Sequence, residues 1–270
     1  MQADSGWSGS GRHTNEAMEF LQDWTVPALV IVLGYVVLGL TGFASSLIAV
    51  PLLSWRWPLD QVVPLALMLD CSASLLMGGL NLRQVQWSEL RYLAPGMLLG
   101  GALALVLMTR LDPLLPLMLL GAYVAWVGWR VLQDRPTAGQ GLKALPASLG
   151  WVYGTTLGLV TLSFGTGGPL VVAWLARRGL GAHAVRASVP VIYTLATLAV
   201  LLLLAGAGRL AEPLLWQRLL VLLPVAVLGT LAGHAWVRRV PADLLRRVIC
   251  LLLIASGGML MLRSLLQAAA

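Results

Sequence analysis

The two longest apolar runs of this 270-residue chain are broken near the middle, by GLTGFASSLIAVP (39–51) in the first and by GLVTLSFGTGGP (158–169) in the second. The runs extend over Val26–Trp55 and Ala144–Ala176. As single helices they would measure roughly 45–50 Å, although the hydrocarbon of a bilayer is only about 30 Å thick. The pattern therefore predicts two broken or re-entrant helical hairpins.

The composition of the whole chain indicates an integral membrane protein. Charged residues make up 11% of the sequence and hydrophobic residues 59%, whereas soluble domains carry about 25% charged residues. The mean hydropathy is +0.85. These values exclude a disordered chain, an ordinary soluble enzyme and, despite a pI of 10.2, a nucleic-acid-binding module. The two cysteines, Cys71 and Cys250, lie in apolar stretches and do not indicate a disulfide framework.

Six further runs have close to the roughly 20 residues that a membrane-spanning helix needs. They are Gln61–Leu82, Tyr92–Thr109, Pro113–Trp129, Ala187–Gly208, Leu219–Val237 and Val248–Leu262. The sequence thus predicts an all-α membrane protein with about eight hydrophobic segments. Its expected divisions are an N-terminal tail with an interfacial helix at Thr14–Trp24 (1–25), a first repeat (26–132), a linker (133–145) and a second repeat (146–266).

An internal duplication is indicated by Trp, Pro and Gly residues at a fixed spacing. The numbering offset is 129 for the pairs Trp87 and Trp216, Pro95 and Pro224, and Gly100 and Gly229. The two interrupted stretches align at offsets of 119 and then 118, which matches Gly39 with Gly158 and Pro51 with Pro169. Each half then contains one hairpin and three spans.

The distribution of basic residues favours the hairpin topology. If all eight segments crossed the membrane, each face would carry nine of the 18 basic residues. If two segments return as hairpins, one face carries twelve: Arg83, Arg91, Arg130, Arg135, Lys143, Arg177, Arg178, Arg186, Arg238, Arg239, Arg246 and Arg247. The other carries Arg12, Arg56, Arg110, Arg209, Arg218 and Arg263. With one hairpin and three spans in each half, the halves are inverted, and by the positive-inside rule both termini lie outside.

The interrupted stretches are the expected binding cavity, because broken helices in a membrane persist where they line one and offer half-helix N-termini to an anion. The candidate substrate-binding residues are Thr41, Gly42, Phe43, Ser45, Ser46, Asp70, Ser163, Gly165, Thr166, Gly167, Gly168, Pro169, Arg186 and Ser188. Asp70 lies near the bilayer midplane, where an acidic side chain is a functional candidate by default. Two readings stay open for it: a protonated carboxyl bonded to Ser72 or Ser74, or a coupling site for protons.

Other notable residues have structural interpretations. Gly39, Gly150, Gly154 and Gly158 are expected to let helices pack closely. The basic residues Arg177 and Arg178 are expected to be membrane-face anchors, and Arg186 is either an anchor or an anion contact. The histidines His13, His183 and His234 do not have metal-ligand spacing, so neither a metal site nor a cofactor is expected. No phosphate-binding loop is present, and the chain is not expected to be an enzyme.

The motifs resemble those of the TauE/SafE sulfite-exporter family of membrane permeases. GLTGFASSLIAVPLL (39–53) resembles its first-repeat signature, and GLVTLSFGTGGPLVVAWL (158–175) its second Gly-rich segment ending in Pro. Arg186-Ala187-Ser188 is similar to the motif that begins its following helix, and Asn81–Trp87 to its basic-then-Trp connection. The resemblance covers roughly Val26 to Leu265. The chain departs from the family at Ala44–Ser46, where members have a longer glycine run, and at Leu65–Leu69, where they have a Thr/Ser/Asn cluster.

This resemblance implies export or uptake of small sulfur-containing or organic anions, such as sulfite, thiosulfate or sulfonates, by alternating access in a bacterial inner membrane. The residues themselves support only a secondary transporter with two Gly-rich midplane elements. The implied partners are a small anion and the lipid bilayer, with a coupling proton or ion and a homo-oligomer left open, and no nucleic acid. A channel or membrane scaffold stays as an alternative, followed by an intramembrane enzyme acting on a lipid or peptide.

Overall fold

The structure, a computed structural model, describes residues 10–42, 44–78, 85–112, 114–133, 145–236, 239 and 242–269. Side chains are described within these ranges from Trp24 onward, except at 78, 131–132, 182–183, 186–187, 242–246 and 267–269. The described residues form ten α-helices and no strands: α1 (Ser10–Thr41), α2 (Ser45–Leu53), α3 (Leu59–Gly78), α4 (Trp87–Arg110), α5 (Leu114–Gln133), α6 (Gly150–Phe164), α7 (Gly168–Arg177), α8 (Ala182–Gly206), α9 (Pro213–Trp236) and α10 (Ala242–Ala269). Most of the predicted linker at 133–145 lies outside the described residues, and α1 continues without a break through the helix predicted at Thr14–Trp24.

Each interrupted stretch is a helix break closed by left-handed residues. Gly42 ends α1 with φ +85° and Gly165 ends α6 with φ +70°, a backbone conformation that glycine adopts without steric cost. Ala44 also has a positive φ, +82°, at the residue before α2. Pro169 lies in the first turn of α7, where its missing N–H removes no helical hydrogen bond.

Both broken segments return to the end of the molecule at which they start. Trp24, at the start of the apolar part of α1, contacts Trp57, which follows α2, with 6.1 Å between ring centroids. In the second half, the Leu145 N–H ahead of α6 donates to the carbonyl of Arg177 at the end of α7 over 3.2 Å. The two runs that are too long for single spans are therefore helical hairpins, as the sequence predicts.

The two halves pack on each other by equivalent contacts. Helix α4 lies along α6, and its counterpart α9 lies along α1. A Cβ atom on Gly100 would meet the backbone of Thr155 and Leu159, and one on Gly229 would approach the backbone of Val32 and Val36. These contacts agree with the predicted offset of 129 between α4 and α9. The predicted packing role of Gly150, Gly154 and Gly158 is confirmed, because they face Tyr92, Leu93 and Met97 of α4.

The register predicted for the hairpins, in contrast, is wrong. The contacts pair Val32 with Thr155 and Val36 with Leu159, an offset of 123 rather than 119 or 118. The same offset of 123 relates the starts of α2 and α7 and the starts of α3 and α8. Pro51 is the seventh residue of α2, whereas Pro169 is the second residue of α7. The two prolines matched in sequence because each follows a polar break, although they occupy different turns.

Equivalent helices run in opposite directions, so the repeats are inverted. On α5, Gly121 faces Gly257 and Met261 of α10, while Gly128 faces Cys250 and Leu253. The two helices are thus antiparallel, although each is the last helix of its half. This arrangement follows from the topology of one hairpin and three spans in each half.

The surface of the bundle is suited to lipid. Among the described residues, six helical segments are long and apolar enough to cross a membrane: Trp24–Thr41, Leu59–Met77, Trp87–Arg110, Ser188–Gly206, Pro213–Trp236 and Arg247–Leu266. Helix α5 has a shorter apolar part, Leu114–Arg130, and lies along α10. Outward-facing leucines such as Leu29 (68% exposed) and Leu220 (71% exposed) would be unfavourable in water. The chain is therefore an all-α integral membrane protein.

Candidate functional site

The first hairpin ends beside a buried carboxyl group. Eight of the nine residues of α2 are buried, and Asp70 of α3 is fully buried next to them. The Oδ1 atom of Asp70 accepts hydrogen bonds from the hydroxyls of Tyr35 and Ser45, both over 2.7 Å. The Oδ2 atom lies 3.1 Å from the hydroxyl of Tyr193 on α8. Three other helices thus converge on Asp70.

These partners differ from those that the sequence suggested for Asp70. The hydroxyl of Ser72 donates to the carbonyl of Met68 within its own helix over 2.9 Å. The hydroxyl of Ser74 is buried without a hydrogen-bond partner. Neither is hydrogen-bonded to Asp70, whose partners come from facing helices instead.

Tyr193 connects the two hairpins. Its hydroxyl lies 2.8 Å from the carbonyl oxygen of Gly165, in the break of the second hairpin, and 3.5 Å from the hydroxyl of Ser46 in the first. With the offset of 123, Tyr193 is the counterpart of Asp70 in the other half. The inverted repeat therefore brings an acid and a phenol together at its centre.

The second break contains buried hydroxyl groups without partners. Among the described side chains, those of Thr161, Ser163 and Thr166 have no hydrogen-bond partner, nor do Ser74 and Thr197, which are one turn beyond Asp70 and Tyr193. Leaving a buried polar group unsatisfied costs about 1–3 kcal/mol. No side chain caps the N-terminus of α2 or of α7 either. At α7, Pro169 has no N–H group and the N–H groups of Leu170 and Val171 bond to the carbonyl of Gly167, so the orphan hydroxyls are the groups at this break that suit an anion.

A cavity leads from one face of the molecule to this break. Its volume is about 490 Å³, and it extends from the exposed Asp60 and Arg209 to the buried Leu162 and Ser163. Asp60 and Arg209 line it without forming an ion pair with each other. We call the end of the molecule that carries Trp57, Asp60 and Arg209 the Asp60 face.

The opposite end is closed by polar contacts between the halves. Glu89 of α4 is buried and forms an ion pair of 3.1 Å with Arg178, which follows α7. Glu89 also accepts from Nε1 of Trp174 over 2.9 Å, and Arg178 donates to the carbonyl of Leu145 over 2.8 Å. We call this end the Glu89 face. Besides the predicted position at a membrane face, Arg178 has a structural contact, because its side chain joins α4 to the second hairpin.

Other predicted site residues lie at or beside the two helix breaks. Thr41 donates back to the carbonyl of Val37 over 2.8 Å. Gly167 is close to the Thr161 hydroxyl, to Leu157 and to the Tyr193 ring, so a side chain there would fill the break. Gly168 is buried in the first turn of α7 beside Pro169.

One candidate lies away from the breaks, and two cannot be described in full. Ser188 lies five residues before Tyr193 on α8, and its hydroxyl accepts the backbone N–H of Gln86 over 3.1 Å. That contact makes it part of the closed Glu89 face. Phe43 and the side chain of Arg186 lie outside the described residues.

Two central residues were not predicted from the sequence, Tyr35 and Tyr193. Both are tyrosines in the middle of apolar helices, where a hydroxyl needs a buried partner. That signal was available, and the offset of 123 would have matched Tyr193 with Asp70. Within the described residues no group of three or more His, Cys, Asp or Glu side chains could hold a metal ion.

Paired hairpins in inverted repeats, meeting beside a cavity that is open at one face, define a membrane transporter. The family model described as Sulfite exporter TauE/SafE matches residues 27–260. The chain belongs to this family. It is 41% identical over 196 residues to the probable inner membrane transporter protein TsaS of Comamonas testosteroni, an alignment that covers 72% of this chain and 80% of that protein. No solved structure matches the chain.

Proposed function

We propose that the chain is a secondary transporter of a small sulfur-containing or organic anion, such as sulfite, thiosulfate or a sulfonate, which works by alternating access. The observation that carries this proposal is the set of buried, unpartnered hydroxyls of Thr161, Ser163 and Thr166 at the second break, of which Ser163 lines the inner end of the cavity. Three donors at this break match the several oxygen atoms of an oxyanion. Transport is coupled to a proton or another ion.

The two faces of the molecule support the alternating-access part of the proposal. The cavity is open between Asp60 and Arg209, whereas Glu89 and Arg178 are joined on the opposite face. The Glu89 face also carries twelve of the 18 basic residues in the hairpin topology. By the positive-inside rule it faces the cytoplasm, so the described conformation is open to the outside of the bacterial inner membrane.

The proposal is tested by anion flux into proteoliposomes that contain the purified protein. Labelled thiosulfate, with sulfite and an alkyl sulfonate as competitors, should enter saturably, and at least one competitor should inhibit its entry. Saturation separates a transporter from a channel, whose flux rises with concentration. The absence of saturable flux for all three anions would contradict the proposal.

The site itself is tested by Ser163→Ala. Loss of one hydrogen bond to a charged ligand is worth about 1.5–3 kcal/mol, so KM should rise roughly tenfold or more. The variant should be at least as stable as the wild type, because the Ser163 hydroxyl has no partner in the protein and its removal leaves no buried polar group unsatisfied there. Ser264→Ala is the matched control, since Ser264 is buried on α10 and bonded to the carbonyl of Leu260. An unchanged KM in Ser163→Ala would contradict the assigned site.

A further inference from the structure

The hydroxyl of Tyr193 has one hydrogen and two nearby oxygen atoms that could accept it. The carbonyl oxygen of Gly165 lies 2.8 Å away and Oδ2 of Asp70 lies 3.1 Å away. A carbonyl oxygen can only accept, so the Gly165 contact needs the hydrogen of Tyr193. The contact with Asp70 then needs a hydrogen of its own, which a protonated carboxyl group would supply.

The surroundings of Asp70 also favour a neutral carboxyl group. The titratable side chains that face it are Tyr35 from α1 and Tyr193 from α8, while α2 contributes only the hydroxyls of Ser45 and Ser46. Cys71 follows it on α3. The nearest cation from the adjacent α9, Arg218, is bonded to Gln61, nine residues away along α3. A fully buried carboxylate without a cation is costly in a membrane interior.

We infer that Asp70 is the site of the coupling proton, and that the hydrogen bond from Tyr193 to the second hairpin depends on whether Asp70 is protonated. This inference rests on the proposed function. With the proton on Oδ2, the Asp70 carboxyl donates to Tyr193, and Tyr193 donates to the carbonyl of Gly165. When the proton leaves to water, Tyr193 turns its hydrogen to the carboxylate, and Gly165 loses its donor. One proton departs, and no other covalent bond changes.

This switch lies beside the proposed anion site. Gly165 precedes Gly167, the N-cap residue of α7, by two positions. With a neutral Asp70, the hydrogen bond from Tyr193 to Gly165 is kept and no negative charge lies near the bound anion. With an ionised Asp70, that hydrogen bond is lost and a negative charge lies near the anion. Proton and anion are therefore bound together and move in the same direction, which makes the protein a symporter.

The proton is observed directly by infrared spectroscopy of the protein in lipid nanodiscs. At neutral pH the wild type should show the carbonyl stretch of a protonated carboxyl group, and Asp70→Asn should lack it. Tyr193→Phe should shift the band to higher frequency, because the carboxyl group loses its acceptor. Ser72→Ala, next to Asp70 but bonded within its own helix, should keep the band unchanged. A wild-type spectrum without the band, or a band that persists in Asp70→Asn, overturns the inference.

The coupling is tested by flux of labelled thiosulfate. In the wild type an imposed pH gradient should drive net accumulation, and anion exchange without a gradient should also occur. Asp70→Asn, a neutral isostere, should lose gradient-driven accumulation, whereas Ser72→Ala, whose hydroxyl is bonded within its own helix, should keep both accumulation and exchange. Accumulation that persists in Asp70→Asn would overturn the inference. The infrared band decides the proton site even if thiosulfate is not transported, so failure of this inference is distinguishable from failure of the proposed function.

Discussion

Ala44 is the residue whose conformation is least suited to its side chain. Among the described residues it is the one non-glycine position with a positive φ, +82°, and the left-handed conformation costs an L-residue with a side chain about 1–2 kcal/mol. The backbone is therefore locally strained at the first hairpin break.

Replacement of Ala44 by glycine should stabilise the protein. We expect a gain of about 1 kcal/mol, because the strain is relieved and the greater freedom of glycine in the unfolded chain offsets part of it. Ala49→Gly, in the helical part of α2, is the control and should destabilise by about 1 kcal/mol. Thermal unfolding in detergent measures both. A loss of stability in Ala44→Gly as large as in Ala49→Gly would contradict this reading of the backbone.

At the same scale, the sequence singled out Asp70 as a buried acid but did not predict its hydrogen-bond partners. Asp70 stands out because one acid in a long apolar run is costly. Its bonds to Tyr35, Ser45 and Tyr193 cross between helices, and no local spacing encodes them. The unpartnered state of Ser163 likewise depends on what surrounds it in the fold.

At the scale of the elements, two equivalent glycines should tolerate a methyl group differently. A Cβ on Gly100 would lie 2.7 Å from the carbonyl carbon of Thr155, whereas the nearest atom to a Cβ on Gly229 is the Cβ of Tyr35 at 3.2 Å. We expect Gly100→Ala to destabilise by about 1–3 kcal/mol, because α4 and α6 must separate. Gly229→Ala should cost less than about 1 kcal/mol. Unfolding of each variant under the same conditions measures the difference, and equal losses would contradict the account of helix packing.

The hairpins themselves were predictable from length, since the runs Val26–Trp55 and Ala144–Ala176 are each too long for one span. Their register was not. Leucine-rich segments align at several offsets, and the prolines that suggested 118 occupy different turns in α2 and α7. The packing of α1 on α9 and of α6 on α4 fixes the offset at 123, and only with that value does Tyr193 become the partner of Asp70 by symmetry.

At the scale of the whole molecule, the ion pair between Glu89 and Arg178 should hold the Glu89 face closed. In Glu89→Gln the pair is lost while the hydrogen bond from Trp174 can remain. We expect the population open at the Glu89 face to rise roughly tenfold, which corresponds to about 1.4 kcal/mol, less than the full cost of breaking a buried pair.

The exchanged pair, Glu89→Arg with Arg178→Glu, should return that population toward the wild-type value. A cysteine at Ser148, exposed on the Glu89 face, and one at Asp60 define the two sides for an impermeant thiol reagent. A third cysteine is placed in the interior of the protein. Its rate of labelling by reagent added from the Ser148 side measures the change in the population open at the Glu89 face. An unchanged side preference in Glu89→Gln would show that the pair does not act as a gate.

The distribution of basic residues along the chain predicted two hairpins, and the fold contains them. Twelve basic residues against six pointed to hairpins, and the contacts of Trp24 with Trp57 and of Leu145 with Arg177 show them. The side on which the cavity opens was not predictable, because a single sequence is compatible with both states of an alternating cycle.

The most direct test of the central claim is the accessibility of one cysteine at the second hairpin. In a Cys71→Ala, Cys250→Ala background, Ser163→Cys should react with an impermeant thiol reagent from the Asp60 side, since Ser163 lies at the inner end of the cavity. Thiosulfate, sulfite or a sulfonate should slow this reaction saturably. A cysteine that reacts equally in the presence and absence of all three anions, or that reacts only from the Glu89 side, would contradict an anion site at the break of the second hairpin.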